Sequence, residues 1–251
     1  MQLKTLCNYC DEFMQVRDFQ DYCPNGLQVE STSEVQFIIS GVTASLALIE
    51  AAIELGADTL LVHHGYFWKN ESPVITGIKG QRIRQLIRNN LNLLAYHLPL
   101  DAHPEVGNNA QLAQLMGWQV SGSFASVGTH DIAFIAELDQ NETIEKVAEN
   151  VATVLNRKPL VISVGKRKVT KLAWCSGAAQ GYIDQAADQG CDLFISGEIS
   201  ENTVHFAREA GIHYIAAGHH ATERYGVQAL GKHLVQRFGI KHQFIDIDNP
   251  V

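Results

Sequence analysis

The sequence has no long apolar run, and this absence limits the class of protein that it encodes. No stretch approaches the roughly 18 consecutive apolar residues from which a membrane-spanning helix is built. The first residues, 1–6, lead directly into polar and amphipathic sequence, without the apolar segment and cleavage site of a secretory signal peptide. We therefore expect a cytoplasmic location and no membrane partner.

Regularly spaced cysteines and an excess of basic residues are missing as well. The five cysteines are odd in number and unevenly spaced, which predicts reduced thiols rather than a disulfide framework. The 27 acidic residues outnumber the 19 basic ones, so the formal net charge is -8. Because proteins that bind duplex DNA normally present a basic face, this balance argues against nucleic acid as the main partner. The tight basic cluster at 166–171 is predicted to be the solvated tip of a hairpin between strands at 160–164 and 169–176.

What is present is an alternation of strand and helix patterns. Residues 36–42 form a short apolar run with β-branched residues, which is typical of a strand. Leu46, Ile49 and Ile53 then recur at helical spacing, and Gly56 supplies a helix stop. The elements expected next are a strand from 59, a helix at 80–90, a strand at 91–96, a loop at 97–108 and a helix at 109–116. This order predicts a largely parallel sheet.

The C-terminal half repeats the plan. Residues 51–62 resemble residues 186–196 after one gap, and the elements that follow each stretch occur in the same order. Duplication and the general likeness of αβ units both explain this echo, and the sequence leaves the choice open. We predict an α/β fold of two similar three-layer domains with mostly parallel sheets, an N-terminal domain at 1–125 and a C-terminal domain at 126–251.

Three short segments place histidine and carboxylate side chains at predicted strand ends. They are residues 62–65 (VHHG), 97–101 (HLPLD) and 218–223 (GHHATE). In open α/β sheets, ligands bind beyond the carboxyl ends of the strands. We therefore expect the three segments to line one site between the two domains.

The spacing within each segment has a chemical consequence. His219 and Glu223 are four residues apart at the start of a predicted helix, so both side chains lie on one face. His63 and His64 are consecutive in a strand and are expected to diverge, which suits two neighbouring ions better than one. Asp101 lies on a loop that two prolines stiffen, and from there a carboxylate can bridge two cations.

Taken singly, these residues have simpler explanations, namely a chance i,i+4 pair, one core and one surface histidine, and an aspartate that caps a turn. Together, three imidazoles and two carboxylates are a ligand set that suits zinc, iron or manganese. Two such ions ~3.5–4 Å apart typically activate a bridging water for hydrolysis. We therefore predict a site for two divalent metal ions. Tyr66 and Trp68 follow His64 and either line this site or pack in the core, the more ordinary role.

The three segments, in this order, resemble the motifs of the GTP cyclohydrolase I type 2 homologues, also known as YbgI-like dinuclear metal-centre proteins. Segments 21–29 (DYCPNGLQV) and 196–198 (SGE) resemble the same family. The resemblance implies five metal ligands, which are His63, His64, Asp101, His219 and Glu223. It places His97 in the same pocket as an acid/base or supporting residue, and either His97 or Glu198 could carry protons there. Two similar α/β domains and a hexameric ring of dimers are further implications.

Two functions are compatible with these motifs. The first is a metal-dependent hydrolase, which the family name would make a GTP cyclohydrolase that opens the imidazole ring of guanine in a nucleotide or related heterocycle. The second is a non-catalytic, ring-shaped metal-binding scaffold that contacts proteins or single-stranded nucleic acid. A redox di-iron oxygenase is disfavoured, because carboxylate-rich helical bundles usually host such centres.

Overall fold

The computed structural model describes residues 1–165 and 167–251. Over these residues the chain forms two compact units. The first unit comprises Met1–Gly107, Val127–Thr129 and Arg224–Asp248. The second unit comprises Asn108–Ser126, His130–Glu223 and Asn249–Val251. This division differs from the predicted domains, 1–125 and 126–251, because residues 108–125 group with the second unit and residues 127–129 and 224–248 group with the first.

Strands and helices alternate along the chain, as the hydrophobic pattern predicts. The elements are α1 (Leu3–Phe13), β1 (Gly26–Val29), β2 (Phe37–Thr43), α2 (Leu46–Glu54), β3 (Thr59–His64), α3 (Gly77–Arg88), β4 (Asn92–Ala95), α4 (Leu98–Ala102), α5 (Asn108–Met116), β5 (Val120–Val127), β6 (His130–Glu142), α6 (Ile144–Leu155), β7 (Leu160–Ile162), β8 (Val169–Cys175), α7 (Ile183–Asp188), β9 (Leu193–Ser196), α8 (Glu201–Ala210), β10 (His213–Ala216), α9 (His219–Phe238) and β11 (Lys241–Phe244). The fold is α/β with two mixed sheets. Among the described residues, no helix combines the length and the apolar character that crossing a bilayer requires.

The first sheet has the strand order β1-β4-β3-β2-β11, in which β1 alone is antiparallel to its neighbour. Successive residues of its central strands enter opposite apolar cores. Ile38 and Leu61 pack in a core with residues of α1 and α9. Ile39 and Leu60 pack in a second core with residues of α2 and α3. This unit therefore has the predicted three layers. Because both faces of its sheet are buried, its strands are apolar at successive positions.

The second sheet has the order β5-β6-β8-β9-β10-β7 and is more mixed than predicted. β8, β9 and β10 are parallel, whereas β6 and β7 are antiparallel to their neighbours β8 and β10. The predicted hairpin between 160–164 and 169–176 is wrong, because β7 pairs with β10 rather than with β8. Lys166 lies outside the described residues. Arg167 is exposed as predicted, with 49% of its side chain accessible, and its guanidinium pairs with Asp192 at 2.5 Å.

The two units share a local plan that accounts for the internal echo. In the first unit, β1 precedes β2-α2-β3-α3-β4 and pairs antiparallel with β4. In the second unit, β7 precedes β8-α7-β9-α8-β10 and pairs antiparallel with β10. The echo at 51–62 and 186–196 therefore covers β3 and β9, which hold equivalent places in the two sheets. Strands β1 and β5 are additions to the predicted elements.

β11 completes the return of the chain to the first unit, which begins at Arg224 within α9. Its residues pair in parallel with β2, in the register Lys241 to Phe37. In this position the imidazole Nε2 of His242 lies 2.8 Å from Oγ of Ser40, a side chain that is fully buried. Burial, with a smaller contribution from the charge of Lys232, lowers the pKa of His242 from 6.5 to about 4.

We predict that His242 makes the protein sensitive to acid. Its pKa is 6.5 when exposed and about 4 when folded, so between these values the unfolded chain binds the additional proton. The free energy of unfolding should therefore fall as the pH falls from 6.5 to 4. Urea unfolding at a series of pH values should show a shallower decline for His242→Gln. His205→Gln, on the exposed side of α8, is the control and should keep the wild-type slope. An unchanged slope in His242→Gln would contradict the assignment.

Candidate metal centre

His63 and His64 are the last two residues of β3, and a neighbouring strand restrains each ring. Because the carbonyl oxygen of Tyr96 can only accept, the Nδ1–H of His63 donates to it, at 2.9 Å. Nδ1 of His64 lies 3.4 Å from Oγ1 of Thr43, on the opposite side of the strand. The ring centroids are only 4.5 Å apart. The expected divergence is therefore wrong, because these contacts at the strand end turn the rings toward each other.

Asp101 lies in a short helix, α4, rather than in the predicted loop. The carbonyl of His97 accepts hydrogen bonds from the N–H groups of Leu100 and Asp101, at 2.8 and 3.2 Å, and Pro99 occupies the first turn, where it needs no donor. This turn places Oδ2 of Asp101 3.6 Å from Nε2 of His63. Both side chains are buried, with exposed fractions of 6% and 0%. The end of β3 and helix α4 thus bring the Asp101 carboxylate beside the His63 imidazole.

His97 is held by a carboxylate that sequence reasoning did not single out. Its Nδ1 lies 2.7 Å from Oδ1 of Asp21. Oδ2 of Asp21 accepts hydrogen bonds from Leu98 N and from Nδ2 of Asn25. Burial raises the pKa of the Asp21 carboxyl, but hydrogen bonds and the charge of His97 outweigh burial and lower it overall. One ligand atom from each of His63, His64 and His97 lies within 4.8 Å of the others.

Cys23, Asp21 and His97 form another group of potential metal ligands. One ligand atom from each lies within 4.8 Å of the others. The carboxylate of Asp21 is already engaged by several donors of the surrounding loop. Burial, with the nearby charge of Asp21, raises the pKa of the Cys23 thiol to about 12. Within this group, the Asp21 carboxylate holds the imidazole of His97.

The segment 21–29 supports the site at a second point. Oε1 of Gln28 accepts from Tyr66 N at 2.7 Å, and Nε2 of Gln28 donates to Tyr66 O at 3.1 Å, so the side chain clamps the loop that follows His64. Gly65 is required beside this clamp, since a Cβ there would lie 2.1 Å from Oε1 of Gln28. The polar residues between apolar ones in DYCPNGLQV were the available signal. The resemblance marked this segment without giving it a role.

His219, Glu223 and Glu198 form a second cluster in the second unit. The spacing of His219 and Glu223 in the first turns of α9 brings His219 Nε2 to 3.2 Å from Glu223 Oε1. The Nδ1–H of His219 donates to Oε1 of Glu198 at 2.7 Å. Burial lowers the pKa of His219, but the hydrogen bonds and charges of Glu223 and Glu198 outweigh it and raise this pKa to about 9. The two carboxylates thus hold one imidazole from both sides.

Three glycines line the ends of β8, β9 and β10 around this second cluster. Gly197 N donates to Gly177 O, and Gly218 N donates to Gly197 O, both at 2.9 Å, so backbone pairing continues past the strands. A Cβ on Gly197 would lie 2.6 Å from Cα of His219. A Cβ on Gly177 would lie 2.2 Å from Oε1 of Glu223 and 3.3 Å from Nε2 of His219. Only glycine leaves room for these side chains and for anything they bind.

The arrangement of the donors fits divalent metal ions. In His63 and His219 the Nδ1–H is committed to an oxygen acceptor, which leaves Nε2 as the basic nitrogen. Each Nε2 has a carboxylate oxygen beside it, from Asp101 and Glu223 respectively. Metal-binding histidines are oriented in this way, by a carboxylate or carbonyl on the other ring nitrogen. Imidazole and carboxylate together suit zinc, iron or manganese.

Comparison with known proteins agrees with these motifs. The family description Duf34/NIF3 (NGG1p interacting factor 3) matches residues 1–250. The chain belongs to the DUF34/NIF3 family. A relative from Pseudomonas aeruginosa named GTP cyclohydrolase 1 type 2 homolog is 52% identical over 99% of this chain and 98% of its own length. A relative of the same name from Vibrio cholerae is 55% identical over 100% and 99%. The family resemblance predicted from the sequence is therefore confirmed.

Solved structures of DUF34/NIF3 relatives share the fold. A structure described as protein YbgI, of unknown function, matches with a TM-score of 0.95 at 48% identity over 100% of both chains. A structure from Thermus thermophilus matches with a TM-score of 0.90 at 35% identity, also over 100% of both chains. The α/β fold with its two mixed sheets is therefore common to these family members.

Gly177→Ala should weaken metal binding more than it weakens the fold. The new methyl group would contact the Glu223 carboxylate and approach His219, so these side chains must move. Disturbing groups that orient ligands typically lowers metal affinity about tenfold to a hundredfold. Zinc affinity measured by chelator competition and the midpoint of thermal unfolding together test this.

Gly190→Ala is the matched control for Gly177→Ala. Gly190 also has a positive φ, at 74° against 65° for Gly177, but a Cβ there meets nothing within 4 Å. Both variants carry the backbone strain, and only Gly177→Ala carries the clash. Equal zinc affinities in the two variants would show that the cluster at Gly177 does not bind the metal.

Proposed function

We propose that this DUF34/NIF3 protein binds two divalent metal ions and is a metal-dependent hydrolase of a nucleotide or related heterocycle. The proposed ligands are His63, His64, Asp101, His219 and Glu223. The observation that carries the proposal is the repeated arrangement at His63 and His219, in which Nδ1 is committed to an oxygen acceptor and Nε2 faces a carboxylate. Histidines that bind metal almost always donate the N–H of the other ring nitrogen to such an acceptor, and both His63 and His219 do so.

When bound in such a ligand set, divalent ions lower the pKa of water and make hydrolysis feasible at neutral pH. The chain's own contribution to the reaction is proton transfer. His97 suits this role, because Asp21 binds Nδ1 and so sets which nitrogen, Nε2, can exchange a proton. Its ring lies 5.1 Å from His63 and 5.6 Å from His64, centroid to centroid. The proton-transfer group would therefore lie next to the proposed ligands.

Glu198 is better suited to orientation than to proton transfer. Its carboxylate accepts the Nδ1–H of His219 and so sets the orientation of that ring. Its backbone carbonyl in turn accepts from the Tyr214 hydroxyl at 2.5 Å and from Ser196 Oγ at 2.9 Å. In this position the Glu198 carboxylate holds the imidazole of a proposed ligand, which is the role of a supporting group. We therefore assign proton transfer to His97 and support of His219 to Glu198.

The substrate class rests on the names of the relatives. Several curated relatives are named GTP cyclohydrolase 1 type 2 homolog, which points to a purine nucleotide or a compound like it. The non-catalytic, metal-binding scaffold is the competing function, and the same experiment separates the two. The nucleotide partner, the homohexamer and the cytoplasmic location remain predictions.

We predict that the metal-loaded protein hydrolyses GTP or a modified nucleotide and that His64→Ala abolishes the activity. Loss of a ligand should lower the rate about a hundredfold or more, because affinity and orientation are lost together. Elemental analysis of the purified protein gives the metal and its number per chain, and chromatography of a nucleotide panel gives turnover. His205→Ala is the control, since that side chain is 61% exposed on α8. Equal turnover in His64→Ala and wild type would refute the hydrolase, and two bound ions without turnover would favour the scaffold.

Asp21→Asn should lower the catalytic rate without removing the metals. The amide keeps the size of the carboxylate but loses its charge, so His97 is no longer held in one tautomer. General acid–base catalysis typically contributes about a hundredfold or more, and kcat should fall by about that factor while metal content stays at the wild-type value. Loss of metal in Asp21→Asn would instead show that His97 is a ligand.

A further inference from the structure

Trp68 lies beside the imidazoles of the first cluster rather than in an apolar core. Its ring centroid is 4.9 Å from that of His97, with the two planes at 88°. It is 5.9 Å from the ring of His64, at 58°. The side chain is partly exposed. Core packing does not account for this position. A ring that served only to bury apolar area would be surrounded by apolar groups, whereas the neighbours of Trp68 include two imidazoles.

The backbone that presents Trp68 adopts conformations that L-residues rarely take. Phe67 has φ of 65° and Asn70 has φ of 73°, both in the left-handed region. For a bulky residue such as phenylalanine this conformation is a genuine outlier. Strain of this kind is retained where surrounding contacts over-determine it, and it is concentrated at ligand sites.

Glu71 supplies the contacts that hold this conformation. Its Oε2 accepts hydrogen bonds from Phe67 N at 3.0 Å and from Trp68 N at 3.2 Å. Nζ of Lys79 in α3 lies 3.3 Å from Oε1 of the same carboxylate. The Gln28 clamp on Tyr66 fixes the beginning of the loop. Polar contacts to the backbone before and after Trp68 therefore fix the position of its indole.

Tyr22 places a second aromatic ring on His97. It is 58% exposed, and its ring centroid lies 6.4 Å from that of His97 in an edge-on arrangement. The loop of Tyr22 is joined to the loop of Trp68, because Lys69 N donates to Tyr22 O at 2.5 Å. Tyr22 precedes Cys23 in the segment whose Asp21 orients His97. The group that we assign to proton transfer therefore has partly or largely exposed aromatic rings as neighbours.

We infer that Trp68, assisted by Tyr22, is a binding surface for a planar nitrogen heterocycle, on which the ring of the substrate stacks next to His97. This inference rests on the proposed function and assigns the residues on which the heterocycle of its substrate would stack. An indole stacks on any nucleobase, because every base offers a π-face, and the gain does not depend on base-specific hydrogen bonds. A substrate without a planar ring would gain nothing from this surface.

Calorimetric titration of the metal-loaded full-length protein with guanosine tests the inference, and ribose is the ligand without a ring system. Wild type should bind guanosine and not ribose. Trp68→Leu should raise the Kd for guanosine about tenfold or more, since stacking on one aromatic side chain has about that effect. Trp68→Phe retains a planar ring and should stay within about threefold of wild type. Tyr22→Ser changes an exposed side chain and should produce a smaller increase in Kd than Trp68→Leu.

Trp118→Phe is the matched control for removal of an indole. Trp118 is 8% exposed and packs on Trp174, so dissolved guanosine cannot stack on it. Its Kd for guanosine should equal that of wild type. If Trp68→Leu binds guanosine as tightly as wild type, the inference is overturned, and so it is if Trp68→Phe is as weak as Trp68→Leu.

Metal content and turnover, measured on the same samples, separate the two proposals. Wild-type metal content and nucleotide turnover, combined with an unchanged Kd in Trp68→Leu, would overturn the stacking surface and leave the hydrolase intact. A raised Kd in Trp68→Leu, combined with absence of turnover in every sample, would support the stacking surface and count against the hydrolase. Circular dichroism of each variant verifies that the change in Kd does not come from unfolding.

Discussion

The tether on Nδ1 of an imidazole is the interaction on which the candidate metal centre depends. A neutral imidazole presents its lone pair on one nitrogen only, and the hydrogen bond on the other nitrogen decides which one. For His63 the acceptor is the backbone carbonyl of Tyr96, just after β4, and for His219 it is the Glu198 carboxylate. His97 has the Asp21 carboxylate in the same position. Without these acceptors the rings could rotate, and the ligand set would lose both its tautomers and its directions.

Backbone without side chains makes room for the tethered groups. Gly65 admits the Gln28 clamp in the first unit, and Gly177 and Gly197 admit His219 and Glu223 in the second. These glycines follow the carboxyl ends of strands, where polar side chains of open α/β sheets meet their ligands. The buried strands behind them supply rigidity, and the glycines supply space. The buried strands thus stabilise the fold, and the loops that follow them hold the residues of the candidate site.

The elements that the sequence predicts well are those with a long, regular period. α2 and the buried strands β2 and β3 follow directly from apolar spacing and from caps such as Ser45. The hairpin at 160–176 failed, because chain proximity favours pairing of β7 with β8, whereas the sheet pairs β7 with β10. The loop at 97–108 failed because α4 is only five residues long, too short for periodicity to reveal it. The local hydrophobic pattern predicts that a strand or helix forms. Which strands pair depends on contacts between residues that are distant in the sequence.

By itself, the sequence determined the family, the α/β alternation and the residue types from which the proposed ligand set is drawn. Spacing also determined that His219 and Glu223 share one face of a helix, since helical geometry acts over four residues. Only tertiary structure decided that Asp21 orients His97, that Gln28 clamps Tyr66 and that Trp68 stands beside His97. These pairs are separated by 76, 38 and 29 positions, and no local rule relates residues so far apart. The pairing of strands and the closure of loops bring them together, and the physical reason is that hydrogen bonding and packing act through space whereas periodicity acts along the chain.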